Sequence, residues 1–328
     1  MIAWEDLPTP LPAAALESLM LGADPVESRY LLVDLREMAE DPAAAAWLRR
    51  RPCPVLAIAE PGTAGELAAA CDVVASVPGE LASVITHIEH APLAAAILVQ
   101  TLRVTEMLAP ADALVVESLA FATLQAGPEF ARWHSGRTPP AHPPPENGPA
   151  ALLARDGDTL SVTLNRPRNR NAMSIEMRDA LAEAFTLAGM DRAIGSLVVD
   201  GAGDCFSVGG DLAEFGHASS APLSHMIRMQ RLPARTLLPV ATHAEFRLHG
   251  ACIGAGIELP AFAARIHARP DAFFQLPEIK FGLIPGAGGC VSIPRRIGRQ
   301  RMAQFALSAR RISARTALAW GLIDMIVE

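Results

Sequence analysis

The chain has 328 residues, enough for one large domain or two medium ones with well-buried cores. It is 51% hydrophobic with a formal net charge of −7, which argues against nucleic acid as its main partner. The longest apolar run, residues 91–99, is far too short to span a bilayer, and the acidic N-terminus is not typical of a signal peptide. We therefore expect a cytoplasmic protein that binds neither nucleic acid nor membrane.

Cysteine and histidine give no sign of a disulfide or a metal site. The five cysteines are scattered and form no CxxC pair, which predicts buried thiols in a reducing compartment. His87 and His90 share a helix face, but no carboxylate or cysteine stands at ligand spacing, so we predict no metal site. Lys280 is the only lysine, so arginine is the expected ligand of any phosphate group.

Taken in chain order, residues 1–79 have the pattern of alternating strands and helices. A short helix is predicted first, at residues 13–21. Strands are then predicted at 31–35, 55–59 and 73–76, with helices at 42–50 and 66–70 between them. This alternation predicts an open parallel sheet.

Residues 80–137 have the pattern of four helices. Apolar residues recur at helical spacing from Leu81 onwards, and Pro92 ends this first helix. Residues 93–108 form a second helix, so apolar that other protein must cover it. Asp112 is the expected N-cap of a third helix, and Pro128 is the expected start of a fourth.

Residues 138–149 contain six prolines and separate these helices from the rest of the chain. Such a segment forms an extended spacer of roughly 3 Å per residue. Beyond it we predict strands at 159–164, at 197–200 and within 237–248, and a helix at 175–188 capped by Ser174. Glycine-rich motifs follow the carboxyl ends of these strands, where open α/β sheets bind ligands.

Glu258 and Glu278 stand twenty residues apart in an apolar part of the chain. Glu258 follows a glycine-rich turn and is expected in the first turn of a buried helix, where free N–H groups favour negative charge. A buried carboxylate is costly unless it has a partner or a task. Two of them beside a glycine-rich backbone are typical of general acid–base chemistry next to an oxyanion site.

Four motifs, in order and at matching spacing, carry a family resemblance. They are TLNRP with NA at residues 163–172, DCFSVGGDL at 204–212, GAGIEL at 254–259 and FFQLPEIKFGLIPGAGG at 273–289. From about residue 150 to the C-terminus, the chain resembles the enoyl-CoA hydratase/isomerase (crotonase) superfamily.

The resemblance implies an α/β fold, with a crotonase-like ββα spiral core and a helical oligomerisation segment. It divides the chain into a degenerate βαβ segment at 1–79, a helical segment at 80–137, a proline-rich linker at 138–149 and a catalytic core at 150–328. The expected assembly is a homo-oligomer, either a trimer or a dimer of trimers.

The part of the chain before the linker carries weaker likenesses to the same family. Glu66 resembles Glu258 in its turn, but Thr86 stands where a second glutamate is needed, so no second active site is expected. The helices at 80–137 resemble the family's C-terminal helices, and none follow the core at its own end. We therefore predict that residues 80–137 fold onto the core, either within a chain or between subunits.

By resemblance, Glu258 orients and activates a water molecule while Glu278 delivers a proton to C2 of the substrate. The backbone N–H groups of Gly210 and Ala255 form the oxyanion hole. The family usually has glycine at the second of these positions. Alanine keeps the N–H group but disfavours a positive φ.

The residues expected to bind an acyl-CoA thioester lie in the same motifs. They are Arg166, Arg168, Arg170, Asn171, Ala172, Gly209, Gly254, Pro285 and Gly286. CoA is then part of the substrate, and no separate cofactor is expected.

The expected reaction is hydration of the 2,3 double bond of an enoyl-CoA thioester. The same glutamate pair also fits double-bond isomerisation or another crotonase-type reaction of an acyl-CoA. A homologue without activity, which only assembles with partners, is the alternative from a different class.

Overall fold

The computed structural model describes residues 2–12, 20, 28–138, 146–216 and 220–328. The helix predicted at 13–21 and most of the proline-rich linker lie outside the described residues. The strands are β1 (Leu31–Asp34), β2 (Val55–Ile58), β3 (Val73–Ala75), β4 (Ala151–Asp156), β5 (Thr159–Leu164), β6 (Ser196–Gly201), β7 (Ala244–Leu248), β8 (Ala251–Ile253), β9 (Arg265–Ala268), β10 (Phe273–Gln275), β11 (Ile312–Ser313) and β12 (Met325–Ile326).

The α-helices range from a single turn to more than four turns. They are α1 (Pro42–Arg49), α2 (Glu66–Ala70), α3 (Pro78–His90), α4 (Pro92–Thr105), α5 (Pro110–Gln125), α6 (Pro128–Ser135), α7 (Ile175–Met190), α8 (Ala221–Arg231), α9 (Pro233–Leu237), α10 (Ala255–Glu258), α11 (Gly289–Ile297), α12 (Arg299–Ser308) and α13 (Ala314–Trp320).

The strands form three sheets. β1, β2 and β3 pair in that order, all parallel, as the alternating pattern predicts. The largest sheet has the order β12-β9-β7-β6-β5-β4, parallel except for the β4–β5 hairpin. The third sheet has the order β11-β10-β8, and β8 and β10 run parallel. The molecule is therefore an α/β protein.

The register of the third sheet places the two predicted catalytic segments side by side. Gln275 at the end of β10 pairs with Ile253 at the end of β8. The N–H of Gly254 donates to the carbonyl of Gln275 at 2.9 Å. Because both strands end at the same edge of the sheet, the chain that follows each of them enters the same cavity.

The apolar core of the described residues consists of two clusters of buried side chains. One cluster of buried side chains runs from Leu32 in β1 through the helical segment to Ile323. A second cluster, which includes Leu48 and Leu67, lies between α1, α2 and the other face of the first sheet. The first sheet is thus covered on both faces, as parallel sheets require.

The helices α3 to α6 pack on the core of the same chain. α3 and α4 lie against α12, α4 and α5 against α11, and α5 against α8. Thr105 at the end of α4 donates a hydrogen bond to the carbonyl of Cys290 at 2.9 Å, and Arg295 donates to the carbonyl of Leu108 at 2.7 Å. The core of the same chain therefore covers the apolar α4. The sequence left open whether this docking occurs within a chain or between subunits.

A buried carboxylate links the first sheet to both other parts of the chain. Asp72, only 1% exposed, accepts hydrogen bonds from Arg103 of α4 and Arg299 of α12. It also accepts from the N–H of Val55 at 2.8 Å. Removing one partner of such a buried ionic group leaves the others uncompensated, so this contact fixes the sheet in place.

No single helix in the described part of the chain is long and apolar enough to cross a membrane. The helices α3 and α4 meet the criteria of length and composition only as a pair, and they are bent by 115° relative to each other.

Several helix boundaries differ from the sequence-based expectation, among them the end of the helix predicted at 93–108, which lies at Thr105. The third helix begins at Pro110, so Asp112 lies in its first turn and the N-cap is Ala109. The buried helix expected around Glu258 is only the short α10, because Pro260 lacks the N–H that would continue it.

Candidate active site

A cavity of about 700 Å³ opens beside the carboxyl ends of β8 and β10. It is lined by both predicted catalytic carboxylates, Glu258 and Glu278, and by Gly210 and Ala255. A further wall is contributed by α5 and α8, from which Phe121 and several other side chains face the cavity. Both the helical segment and the core therefore build the site.

Both predicted catalytic carboxylates lie next to Gly254. Its φ of 50° lies in the region that favours glycine. A Cβ atom at this position would lie 2.6 Å from Oε1 of Glu278 and 3.7 Å from Oε1 of Glu258. Any side chain here would displace a carboxylate, so glycine is required for both its conformation and its size.

Glu258 is 2% exposed and is held by backbone donors. Its Oε2 accepts hydrogen bonds from the N–H of Ala287 at 2.6 Å and of Gly289 at 2.9 Å. Burial raises the pKa of Glu258 to about 7, and the N–H donors limit the rise because they stabilise the anion. Glu258 can therefore change its protonation state near neutral pH.

Glu278 has a different environment. Its Oε2 is buried and has no hydrogen-bond partner among the described residues. Burial raises the pKa of Glu278 well above its usual range, and the charges of Glu258 and Glu117 add to the rise. Glu278 is therefore the protonated member of the pair near neutral pH, with an acidic proton to give.

Two backbone N–H groups of the cavity wall make no hydrogen bond within the described residues, those of Gly210 and Ala255. Gly209, with a φ of 82°, packs the loop against the β8 turn. A Cβ atom there would lie 2.5 Å from the carbonyl oxygen of Ile253 and 3.4 Å from the nitrogen of Ala255. The two free donors are thus on segments in direct contact, which is the arrangement an oxyanion site needs.

A third carboxylate, Glu117 of α5, reaches the same region from the helical segment. It is fully buried, and its two oxygens accept hydrogen bonds from the N–H groups of Gly288 and Cys290, each at 2.8 Å. Burial raises the pKa of Glu117 to about 8, and the charge of Glu258 adds to the rise.

Arg228 of α8 is the cation nearest this group in the cavity wall. Its guanidinium lies 4.0 Å from Glu117 and 4.3 Å from the ring centre of Phe121. It also donates to the carbonyl of Gly286 and to Oγ of Ser118. Arg228 therefore balances part of the negative charge that the buried carboxylates bring to the cavity.

The structure corrects the prediction that Arg166 binds a phosphate group of the substrate. Its guanidinium donates to the carboxylate of Glu176 and to the carbonyls of Gly148, Pro149 and Asn165. All five of its donors are thereby used within the protein. Arg166 fastens the start of the core and has no donor left for a ligand.

The prediction that Asn171 binds the substrate is corrected as well, because its side chain is also fully bonded within the protein. Its side-chain amide donates to the carbonyls of Ala202, Cys205 and Phe206, and its oxygen accepts from the N–H of Arg166. The side chain is fully buried, so it joins two loops of the protein and does not face a ligand.

The remaining predicted binding residues occupy three places. Arg168 and Arg170 have exposed side chains on the loop after β5, while Ala172 is buried behind it. Gly209 and Gly254 support the cavity wall from behind, as described above. Gly286 lines the cavity, and Pro285 is buried beside it.

The remaining predictions concern a metal site, Glu66 and the cysteines. Within the described residues, no group of three or more potential metal ligands occurs. Glu66, which resembles Glu258 in the sequence, is exposed at the start of α2, and its N–H is bonded to Glu40. All five cysteines are buried free thiols.

Two residues of the site were missed by sequence reasoning, Glu117 and Arg228. For Glu117 a signal existed, because it is the only charged residue in the run ALVVESLAFATLQ. A carboxylate in so apolar a helix needs a buried partner. For Arg228 no comparable signal exists, since α8 also carries other polar residues.

A pair of carboxylates in a cavity wall with separated pKa values, beside two free N–H groups, is suited to an enzyme that moves protons next to a developing oxyanion. The family model of enoyl-CoA hydratase/isomerase matches residues 155–328. The chain belongs to this family, and it has the crotonase fold.

Named relatives agree with this membership. The mevalonyl-coenzyme A hydratase sidH of Aspergillus fumigatus is 29% identical over 169 residues, which is 52% of this chain and 63% of the relative. The carnitinyl-CoA dehydratase of Salmonella enteritidis is 30% identical over 187 residues, or 54% of this chain and 67% of the relative. The match thus spans less than two thirds of the first of these proteins.

The solved structure of an enoyl-CoA hydratase from Mycobacterium smegmatis has a TM-score of 0.51 and 29% identity, covering 55% of this chain and 70% of that one. An enoyl-CoA hydratase/carnithine racemase from Magnetospirillum magneticum has a TM-score of 0.51 and 27% identity, covering 56% of this chain and 69% of that one.

Proposed function

We propose that the protein hydrates the 2,3 double bond of an enoyl-CoA thioester. The observation that carries this proposal is the pair Glu258 and Glu278, both adjacent to Gly254 and in environments that separate their pKa values. Hydration needs a base and an acid at neighbouring carbons, whereas double-bond isomerisation can proceed with a single base.

In the proposed reaction, the thioester oxygen accepts hydrogen bonds from the N–H groups of Gly210 and Ala255. A water molecule held by Glu258 attacks C3, and its departing proton passes to the Glu258 carboxylate. Glu278 gives its proton to C2, so the substrate gains the elements of one water. A proton transfer from Glu258 to Glu278 restores the starting state.

CoA enters this reaction as part of the substrate, and no separate cofactor takes part in the steps above. We place its phosphates beside Arg168 and Arg170, since these guanidinium groups are exposed on the loop next to the cavity. Two relatives named for CoA-thioester hydration and dehydration support the choice of substrate class. We also propose that the protein is a cytoplasmic homo-oligomer, a trimer or a dimer of trimers.

The test is a panel of 2-enoyl-CoA thioesters incubated with the protein in D₂O and followed by mass spectrometry. The wild type should add one water to at least one member. Glu278→Gln should abolish both hydration and deuterium exchange at C2. Glu258→Gln should lose about 10²–10⁴-fold in hydration and keep some exchange at C2.

Glu66→Gln is the matched control, because Glu66 occupies the corresponding position in the weak N-terminal likeness and lies exposed. It should leave hydration unchanged. Hydration by Glu258→Gln at the wild-type rate would refute the assignment. Migration of the double bond without any gain of water would favour the isomerase alternative, and no reaction with any thioester would favour a homologue that only assembles with partners.

A further inference from the structure

The N-terminal end of α11 receives two buried carboxylates, one from each part of the chain. Glu258 accepts from the N–H groups of Ala287 and Gly289. Glu117 accepts from those of Gly288 and Cys290. Four successive N–H groups therefore alternate between the two carboxylates, and each carboxylate limits the position of the turn that the other one contacts.

Glu117 has no access to the cavity itself. Its side chain is fully buried, and it is absent from the cavity wall that Phe121, one turn further along α5, helps to form. Its carboxylate can act on a bound ligand only through the turn at 286–290. Burying it is costly, and bonds to two backbone donors offset this cost only in the present geometry.

We propose that Glu117 is a positioning residue for the proposed acid–base pair, because it holds the turn whose N–H groups orient Glu258. This inference rests on the proposed function. It makes the activity of the core dependent on a carboxylate that the helical segment supplies. Without Glu117 the turn can relax, and Glu258 loses the fixed donors that aim it at the water.

The groups that face Glu117 lead to a second expectation, which concerns the pKa of Glu278. Glu258 and Glu278 approach from the core, Arg228 from α8, and the Cys290 thiol from α11. Burial raises the pKa of Glu278, and the anions of Glu258 and Glu117 add to this rise. Above about pH 8, where Glu117 is itself ionised, loss of its charge should therefore lower the pKa of the proposed acid.

The variant that tests the inference is Glu117→Gln, which keeps one acceptor oxygen but replaces the other by an NH₂ group. We expect kcat to fall about 10- to 100-fold with little change in KM, because misplacing a catalytic group affects the chemical step. The basic limb of the kcat/KM profile should move to lower pH, since Glu278 then loses its proton more readily.

Glu129→Gln is the matched control. Glu129 is also buried in the helical segment, and it also accepts from two backbone N–H groups, those of Leu93 and Ala94. It holds the start of α4, outside the cavity wall. Glu129→Gln should reduce stability but leave kcat and the pH profile unchanged, which separates positioning from a general loss of structure.

Amide hydrogen exchange of the ligand-free protein tests positioning without any activity. In Glu117→Gln, the N–H groups of Ala287 and Gly289 should exchange faster than in Glu129→Gln. Equal exchange in both variants would overturn the proposal. If the wild type hydrates no thioester but the exchange result holds, the proposed function fails while the role of Glu117 in holding the turn stands.

A second variant keeps the test decisive if Glu117→Gln does not fold. In Glu258→Gln, the N–H groups of Gly288 and Cys290 should stay protected from exchange, because Glu117 holds them independently. Those of Ala287 and Gly289 should lose protection. Loss of protection at all four positions would show that Glu117 does not hold the turn, and it would overturn the proposal.

Discussion

At the residue scale, three carboxylates with raised pKa values, Glu117, Glu258 and Glu278, make the stability of the protein depend on pH. Their folded pKa values are raised, to about 7 for Glu258 and about 8 for Glu117, above the ordinary value of 4.5. The folded pKa of Glu278 is raised as well. Between pH 4.5 and 8 the folded chain therefore keeps protons that the unfolded chain has released. Because the folded state binds more protons there, its stability falls as pH rises.

We predict that the free energy of unfolding falls between pH 5 and 8, by about 1.4 kcal/mol per pH unit for each proton retained. Chemical denaturation at a series of pH values measures this slope. Glu278→Gln should flatten it, since one of the raised groups is then gone. Equal slopes in wild type and Glu278→Gln would contradict the raised pKa of Glu278.

The sequence identifies a residue of the site best when the local motif also determines its surroundings. Glu258 and Glu278 follow glycine and proline turns at fixed spacing, and the structure places both in the cavity wall. Glu117 was missed because its partner Gly288 lies 171 residues away in sequence. Arg166 was misassigned because a motif does not show which way a guanidinium points, and here it points into the protein.

At the element scale, local patterns predicted every strand and α-helix that the structure describes between residues 28 and 137. In the core they predicted only three strands, at 159–164, 197–200 and within 237–248, and β4 and β8 to β12 were not predicted. Prolines begin α3, α4, α5 and α6, as expected of residues that suit the first helical turn. What periodicity could not show is the partner of each helix. The apolar α4 required a cover, but only the fold identifies α11 and α12 as that cover.

We interpret the helical segment 80–137 as the counterpart of the family's C-terminal helices, placed before the core in this chain. A protease site introduced between residues 138 and 146 tests this interpretation. After cleavage the two pieces should elute together and keep the wild-type activity, because buried side chains of α4 and the contacts of Glu117 and Thr105 join them.

Two substitutions in α4 test whether this helix holds the two pieces together. Leu98 of α4 is 1% exposed, whereas Leu93 on the same helix is 49% exposed. After cleavage, Leu98→Asp should separate the pieces, since a buried unpaired charge is very costly, while Leu93→Asp should leave them together. Separation of the unsubstituted pieces, with full activity in the core piece alone, would show that the helices are an independent appendage.

At the scale of the whole molecule, a single cavity joins both parts of the chain. The core contributes the carboxylate pair and the free N–H groups, and the helical segment contributes Phe121 and the support of Glu117. The sequence predicted the α/β class and the part of the chain that matches the family model, residues 155–328. It could not predict this shared wall, because contacts between distant segments leave no local pattern.

The most direct test of the account is a crystal structure of the protein with a 3-hydroxyacyl-CoA, the product of the proposed hydration. The thioester oxygen should lie about 2.7–3.1 Å from the backbone nitrogens of Gly210 and Ala255. The 3-hydroxyl group should lie between Glu258 and Glu278, with the acyl chain against Phe121. A thioester bound away from the two N–H groups, or a hydroxyl out of reach of both glutamates, would contradict the account.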